Sequence, residues 1–443
     1  MIGFLAYIAG VLVFLVGIGI SIGLHEIGHL VPAKLFGARV SKYMIGFGPT
    51  LWSRKRGDTE YGIKLLPLGG YIAISGMLPP SKVAPEGLAP KRKGFFRDWV
   101  EQARAQQLDA DGSYDESRAF YRLAVWRRVV IMLGGPVMNL ILGSVLVLVA
   151  LSGLGGYQAS GKVAQVMPCV FQHYTQTTCE AADPESPAML AGLKAGDTIT
   201  AVDGVPVTVW SPVQQKLTDK PAGPLNLTVL RSGQKLHITL KPVVALRPIV
   251  DEVSGQVARN SNGSIRQANR GLIGVQLVSV RAPYAVGYSV SYIGYTLKQT
   301  AGLIADLPRQ VGELAVTTFG GGKRSATGPV SVVGIGNISG SIAESNNLDL
   351  VGKISTWLMM LGSLNFALFV FNLVPLLPLD GGNVLNALWD GARRRAYKLF
   401  GKADPGPLDT AKFVPFTMFM WVLLMAMSAL VIVADVVNPI SLG

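Results

Sequence analysis

The chain has 443 residues, of which 49% are hydrophobic and only 15% are charged. This composition excludes an ordinary soluble domain, and the length exceeds that of a typical single domain. The formal net charge of +13 suits either nucleic acid or an anionic membrane surface. Because the basic residues flank long apolar runs, the sequence predicts contact with membrane lipids and no nucleic-acid partner.

Four apolar runs are each near or above the length that crosses a bilayer as a helix. They cover residues 2–24, 129–151, 354–377 and 413–437. The first run has no Lys or Arg before its apolar part, so we interpret it as a membrane span and not as a signal peptide. The sequence therefore predicts four transmembrane helices.

The distribution of Lys and Arg predicts the orientation of these spans. Residues 30–128 carry 17 Lys and Arg, residues 155–353 carry 17 over twice that length, and residues 378–412 carry 6. Because Lys and Arg accumulate in cytoplasmic loops, we expect 30–128 and 378–412 to face the cytoplasm. Both termini and the large loop then lie outside.

An H-E-x-x-H motif, His25-Glu26-Ile27-Gly28-His29, follows the first apolar run. On a helix His25 and His29 lie on one face, so both can bind one metal ion. Glu26 is rotated away from that pair, near enough to take a proton from a metal-bound water. The alternative is a polar face of a soluble helix. Apart from these three residues, however, the first thirty-three contain no Asp, Glu, Lys, Arg or His, which favours a functional site.

Alternating apolar residues over 59–76 predict a β-hairpin close to the first span. We expect Gly69 and Gly70 to form its turn, with Tyr71 after them. The apolar character indicates a hairpin that dips back towards the membrane, where its edge can pair with an extended substrate. The next segment, 81–127, is interpreted as a basic, partly helical stretch on the inner leaflet, with a flexible solvated insert as the alternative.

The second apolar run contains Asn139, a polar side chain in hydrocarbon that serves either helix contacts or a site. Beyond this run, the chain's two cysteines, Cys169 and Cys179, lie in the loop predicted to be outside. An oxidising compartment permits a disulfide between them, and two free buried thiols are the alternative.

Short strands are predicted in the outer loop at 198–202, 225–230 and 237–240, with 271–277 as a closing strand after a polar, mobile stretch at 251–270. Together with a short helix and turns at Gly196-Asp197 and Asp203-Gly204, this pattern resembles a PDZ domain over about 157–280. Residues 282–349 show helical spacing of apolar residues and predict amphipathic helices on the outer leaflet.

Asp380 is the only ionisable side chain in residues 354–389, and it follows the third apolar run. Catalytic zinc commonly takes three protein ligands and leaves one position open. His25, His29 and Asp380 supply such a set. The alternative is that Asp380 caps the helix that follows it.

Together these motifs are similar to those of the site-2 protease family of intramembrane zinc metalloproteases. The similarity covers nearly the whole chain. It rests on H-E-I-G-H at 25–29, P-L-G-G-Y at 67–71, G-P-x-x-N at 135–139 and N-x-x-P-x-x-x-L-D-G at 372–381. Four spans and one outer PDZ-like domain resemble the bacterial branch that cuts membrane-anchored anti-sigma factors.

The resemblance implies a polytopic α-helical protein of a bacterial plasma (inner) membrane. It would have four transmembrane helices, a membrane-associated β-hairpin and one inserted PDZ-like α+β domain. The two halves of the protease core are expected at 1–154 and 350–443, with the active site towards the cytoplasm. The PDZ-like domain is expected at 157–280 and the outer-leaflet helices at 282–349.

The resemblance also implies an activity, the hydrolysis of a peptide bond in or near the transmembrane helix of a single-span substrate. Such a substrate would be an anti-sigma factor or a signal-peptide remnant. His25, His29 and Asp380 would bind Zn²⁺, and Glu26 would act as general base. Substrate contacts are expected from Gly69, Gly70, Tyr71, Asn139, Asn372 and Pro375.

Some alternatives stay open at this point. A metal transporter or store could use the same ligands, although it would need more intramembrane carboxylates than the spans contain. A catalytically silent scaffold could act through its PDZ-like domain, although the intact Glu26 argues against it. Other divalent ions fit the ligand chemistry, and the oligomeric state is left open.

Overall fold

A computed structural model describes residues 2–79, 116–320 and 328–438. Its four helices that are long and apolar enough to cross a membrane are Gly3–Leu35, Val125–Leu154, Leu350–Asn372 and Thr410–Val437. The prediction of four spans is confirmed, and the chain is an integral membrane protein. Most of the predicted basic segment 81–127 lies outside the described residues.

The α-helices are numbered here in chain order. They are α1 Ile2–Leu35, α2 Val125–Leu148, α3 Pro187–Leu190, α4 Ser211–Asp219, α5 Val286–Ala305, α6 Leu307–Gly320, α7 Val332–Glu344, α8 Leu350–Asn372, α9 Asp380–Leu399 and α10 Val414–Val437.

The strands form three sheets. They are β1 Val40–Arg56, β2 Thr59–Ile74, β3 Gly156–Val166, β4 Thr198–Val202, β5 Val205–Pro206, β6 Leu225–Arg231, β7 Gln234–Leu240, β8 Val243–Pro248, β9 Gln267–Leu272 and β10 Val275–Ala282. The residues before Leu148 and after Tyr295 form one compact unit, and Leu148–Tyr295 forms a second.

Helix α1 continues through the H-E-x-x-H motif and ends only at Leu35. The end has a physical cause, since Gly37 takes a positive φ of 79° and the next amide, that of Ala38, bonds back to the Ala33 carbonyl at 2.9 Å. Such a left-handed glycine is a common helix stop. The two histidines therefore lie on a continuous, rigid helix.

The third span begins and ends earlier than its apolar run predicts. Asp349 caps α8 by accepting a hydrogen bond from the Gly352 amide at 3.0 Å, and the helix ends at Asn372. The expected end at residue 377 is wrong because Pro375 and Pro378 cannot continue a helix. The residues after Asn372 instead form a non-helical connection to α9.

The predicted hairpin exists, and its tight turn joins β1 to β2. Strands β1 and β2 meet at Arg56 and Thr59, with Gly57 at a positive φ of 62° between them. The positive φ of Gly57 suits a tight turn between two strands.

Lys42 to Ile45 pair with Glu60 to Ile63 on one side and with Gly70 to Ala73 on the other, so the chain also reverses between Ile63 and Gly70. The expected reversal before Tyr71 is therefore found, but the two segments of β2 that flank it pair with β1 and not with each other.

Apolar side chains of the hairpin are exposed, as expected for a hairpin that reaches the membrane. Those more than 40% exposed are Phe47, Leu51, Trp52, Ile63, Leu65 and Leu66. A hairpin of a protein in water would bury such side chains or replace them with polar ones. The predicted approach of this hairpin to the membrane agrees with this exposure and stays a prediction.

Three helices, α5 to α7, are found where amphipathic helices on the outer leaflet are expected. Helix α7 differs from that expectation because it packs against α1. Its Ser339 hydroxyl donates to the Gly10 carbonyl at 2.8 Å, and Gly340 lies against the ring of Tyr7. A Cβ on Gly340 would come within 2.4 Å of that ring, so only glycine permits this approach.

The second unit contains a sheet of strand order β10-β3-β4-β6-β7, with β5 paired to β4. Alternate residues of β6, such as Leu227 and Val229, point into a core that also holds Ile199. The strands expected at 198–202, 225–230 and 237–240 are confirmed. The expected closing strand begins later, at Val275, because Gly274 takes a positive φ of 76° and separates it from β9.

A buried carboxylate stabilises this unit. Asp197 is 1% exposed and accepts hydrogen bonds from the Arg231 guanidinium at 2.7 Å and from the Lys194 amide at 2.9 Å. The Arg231 guanidinium holds the pKa of Asp197 below its usual value. Asp197 closes the Gly-Asp turn that the sequence indicated.

The structure decides between the alternatives for the cysteines. Cys169 and Cys179 form a disulfide with a Cα–Cα distance of 6.0 Å. The stretch 251–270 is more structured than expected, because β9 begins at Gln267 and pairs with β8. Backbone bridges between Val250 and Val257 and between Arg259 and Ile265 order the residues before it.

Candidate metal centre

Three donor atoms from distant parts of the chain meet inside the first unit. His25 Nε2 and His29 Nε2 are 3.2 Å apart, and each lies 3.4 Å from Oδ2 of Asp380. The three side chains are largely buried, with 14%, 5% and 18% exposed. The predicted ligand set is therefore brought together.

The spacing of the three donors fits a metal ion. Zinc binds nitrogen and oxygen ligands at about 2.0 Å, so two ligands of a tetrahedral ion are about 3.3 Å apart. The observed separations of 3.2 and 3.4 Å match this value. Asp380 Oδ2 is buried and makes no hydrogen bond with the described residues. A bound cation would satisfy this oxygen.

The local backbone explains why Asp380 faces the histidines. Asp380 is the first residue of α9, whose N-cap is Leu379 without a side-chain cap. Capping by Asp380 is therefore excluded. Gly381 and Gly382 follow, where a Cβ would come within 2.5 Å of the Leu373 carbonyl oxygen and 2.6 Å of the Leu376 carbonyl carbon. The two glycines let the start of α9 fold tightly onto the connection from α8.

The charge of Asp380 is also set by its surroundings. Burial opposes ionisation, but the interaction with the nearby His25 and His29 rings outweighs it and lowers the pKa of Asp380 to about 2. The carboxylate is thus ionised at neutral pH, as a metal ligand must be.

Helix α2 shapes the other side of the centre. The His29 Nδ1 lies 2.7 Å from the Ile131 carbonyl, which accepts its proton and leaves Nε2 free for a metal. Gly135 lies against both rings, and a Cβ there would come within 2.2 Å of His29 Nε2 and 2.7 Å of His25 Nε2. Gly28 and Gly134 bring the two backbones together, since a Cβ on either would collide with the other's carbonyl.

Asn139 of α2 contacts the ring of His25. Its Nδ2 lies 3.0 Å from His25 Nδ1, and its Oδ1 is buried without a hydrogen bond to any described residue. An amide turned by 180° presents Oδ1 to His25 Nδ1–H, which leaves Nε2 of that ring for a metal. Asn139 is 1% exposed and lies against His25, so it can position that ring. Substrate contact by Asn139 stays a prediction.

Glu26 lies beside the three donors and is 8% exposed. It interacts electrostatically with His25, His29 and Asp380. Gly70 of β2 packs on its stem, since a Cβ on Gly70 would lie 3.1 Å from Glu26 Cγ and 2.9 Å from Ile22 Cγ2. The hairpin is thus in direct contact with the carboxylate that sequence reasoning assigns to proton transfer.

The remaining predicted residues lie on two segments. Gly69 and Tyr71 flank Gly70 in β2 and are half-buried. Asn372 ends α8, and Pro375 is exposed in the connection that leads to Asp380. Sequence reasoning did not assign a role to Gly135 or to the Ile131 carbonyl. Gly135 is the first residue of the G-P-x-x-N motif at 135–139, and this motif could have indicated its role.

A bundle of membrane-spanning helices with a buried two-histidine, one-carboxylate centre and an adjacent glutamate defines a class, the membrane-embedded metalloproteases. The comparison with protein families agrees. The model for Peptidase family M50 matches residues 13–403. The chain belongs to this family, the site-2 proteases, and is a zinc metalloprotease.

The chain is similar to proteins of known name over almost its full length. It is 32% identical to the zinc metalloprotease Rip1 of Mycobacterium bovis, covering 98% of this chain and 99% of that protein. It is 30% identical to Rip1 of Mycolicibacterium smegmatis, with 98% of each chain covered. It is 24% identical to the metalloprotease MmpA of Caulobacter vibrioides, with 95% of each covered.

Proposed function

We propose that this zinc metalloprotease hydrolyses a peptide bond in or next to the transmembrane helix of a single-span membrane protein. The observation that carries the proposal is the convergence of His25, His29 and Asp380 beside Glu26, within a helix bundle. Anti-sigma factors and signal-peptide remnants are the substrates of this kind that the family resemblance implies. The substrate enters from the lipid and not from water.

In this proposal His25, His29 and Asp380 hold the zinc ion. Zinc lowers the pKa of water to about 7 and polarises a carbonyl group, so that hydrolysis becomes possible at neutral pH. The carboxylate of Glu26 takes a proton from the attacking water and passes it to the leaving amine. Asn139 and the Ile131 carbonyl keep the two imidazole rings in the orientation that binding requires.

Strand β2 is proposed to hold the substrate as an extended segment. A helical substrate hides its carbonyl groups in hydrogen bonds and has to unwind before attack. Gly70 to Ile74 pair with Val40 to Ile45 on one side, and no described strand pairs on the other. That free side, next to Glu26, can add a substrate strand. Asn372 and Pro375 are proposed to support the unwound segment.

The inserted unit is proposed to be a PDZ-like domain that docks or filters substrates outside the membrane. Its strands and the helix α4 line an open cleft of about 700 Å³. The cleft is lined by apolar side chains such as Trp210, Leu217 and Val275, together with Arg270. A large substrate domain would be held back until another protease has trimmed it.

The proposed orientation follows the Lys and Arg distribution. Both termini and the inserted unit lie outside the plasma membrane, and the metal centre lies towards the cytoplasm. The disulfide between Cys169 and Cys179 supports an oxidising compartment for the inserted unit.

Removal of the metal tests the proposed reaction. Detergent-purified protein is mixed with a labelled single-span substrate, before and after treatment with a chelator. We expect cleavage to stop when zinc is removed and to return when Zn²⁺ is added back. Mass spectrometry of the products should locate the cut in or next to the transmembrane segment. Cleavage by zinc-free protein, or cuts confined to water-exposed parts of the substrate, would contradict the proposal.

Replacement of Gly70 tests the contact between the hairpin and Glu26. In Gly70→Ala the new methyl group would press on Ile22 and on the Glu26 stem, at 2.9 and 3.1 Å. Because small displacements of catalytic groups are costly, we expect cleavage to fall by about tenfold or more. Zinc content, measured on the same sample, should stay at the wild-type value. A variant with unchanged cleavage would show that Glu26 tolerates this displacement.

A further inference from the structure

A buried ion pair joins two of the helices that build the metal centre, at a distance from the centre itself. Asp390 of α9 is 0% exposed, and its Oδ2 accepts a hydrogen bond from Arg128 Nη2 of α2 at 2.8 Å. The Asp390 Oδ1 accepts from the Leu408 amide at 3.0 Å and from Arg393 Nη2 at 3.3 Å. Arg394 Nε lies 3.5 Å from the same Oδ1, so four groups surround the carboxylate.

Both partners of this pair lie on helices whose other residues form the centre. Asp390 follows Asp380 by ten residues on α9, about 15 Å along the helix. Arg128 precedes Gly135 and Asn139 on α2 by seven and eleven residues, which places the three on one helix face. The helices touch here, since a Cβ on Gly391 would come within 2.7 Å of Val125.

The pair therefore fixes the position of α9 relative to α2. The two histidine rings are held by α2, whereas the third donor is carried by α9. If α9 moved along or around its axis, Asp380 would leave the position 3.4 Å from both rings. A salt bridge between buried groups depends steeply on geometry, so it resists such a movement.

We propose that Arg128 and Asp390 are positioning residues for the zinc site. Their ion pair locks α9 against α2 so that Asp380 stays at ligand distance from His25 and His29. The inference rests on the proposed ligand roles of these three residues. The role is in geometry and not in stability. Buried ion pairs contribute little net stability compared with apolar residues of similar size, whereas they impose a specific geometry.

Zinc retention tests the inference in the full-length protein. Wild type, Arg128→Gln and Asp390→Asn are loaded with zinc, and the rate of zinc loss to a coloured chelator is recorded beside the unfolding midpoint. Because residues that orient metal ligands commonly change metal affinity 10- to 100-fold, we expect zinc loss to be at least about tenfold faster in both variants. Arg395→Gln, an exposed arginine on the same helix, is the matched control and should retain zinc like the wild type.

Two further variants distinguish loss of the ion pair from loss of a zinc ligand and from loss of the fold. Asp380→Asn should lose zinc, and if it does not, the ligand assignment itself fails. The double variant Arg128→Met/Asp390→Leu replaces the pair by apolar residues, so it should remain folded even if the single variants do not. We expect it to unfold near the wild-type midpoint and yet to release zinc faster. Wild-type zinc loss in the double variant would overturn the inference.

Discussion

Glu26→Gln is expected to reduce cleavage of a single-span substrate at least 100-fold while the zinc content stays unchanged. The amide has nearly the same size as the carboxylate but cannot take a proton from water. General base catalysis commonly contributes 10²- to 10⁴-fold to a rate. Glu26 is a neighbour of the three donors and not one of them, so the metal site should survive. Cleavage and zinc content are measured on the same detergent-purified samples.

The control for this experiment is the zinc content itself. Equal zinc with absent cleavage assigns proton transfer to Glu26. If Glu26→Gln cleaves at the wild-type rate, the mechanism proposed here is wrong. Loss of zinc together with cleavage would instead make Glu26 a part of the metal site, against the geometry of the three donors.

Gly135→Ala is expected to lose most of its zinc and its proteolytic activity, although the change adds a single methyl group. The new Cβ would lie 2.2 Å from His29 Nε2 and 2.7 Å from His25 Nε2, so both rings would have to move from the metal position. Alanine favours helices by about 1 kcal/mol over glycine, so weakening of α2 cannot explain the loss. Zinc content by mass spectrometry and the cleavage rate are the measurements.

Gly19→Ala is the matched control, because this glycine also lies in a membrane span and a Cβ there meets no atom within 4 Å. It should bind zinc and cleave substrate like the wild type. If Gly135→Ala keeps a full complement of zinc, the two rings are less constrained by α2 than the structure indicates.

The hairpin shows how a correct local pattern can give a wrong register. Alternation and two adjacent glycines predict strands around a Gly69-Gly70 turn. In the structure the tight turn is at Gly57, the chain reverses again between Ile63 and Gly70, and Gly70 makes a close contact with Glu26. A glycine can serve a turn or a close approach, and the sequence does not distinguish them. Only the position of α1 decides that Gly70 is needed for contact.

The sequence by itself determined the number of membrane spans, the four-residue spacing of His25 and His29, and the residue types of the candidate centre. These follow from local properties, namely the length of an apolar run and the periodicity of a helix. The tertiary structure alone decided that Asp380 meets the histidines, that Gly135 makes room for them, and that Arg128 pairs with Asp390. The partners in these contacts lie more than a hundred residues apart in the sequence. Their contacts depend on how the helices pack, and a local sequence pattern does not predict helix packing.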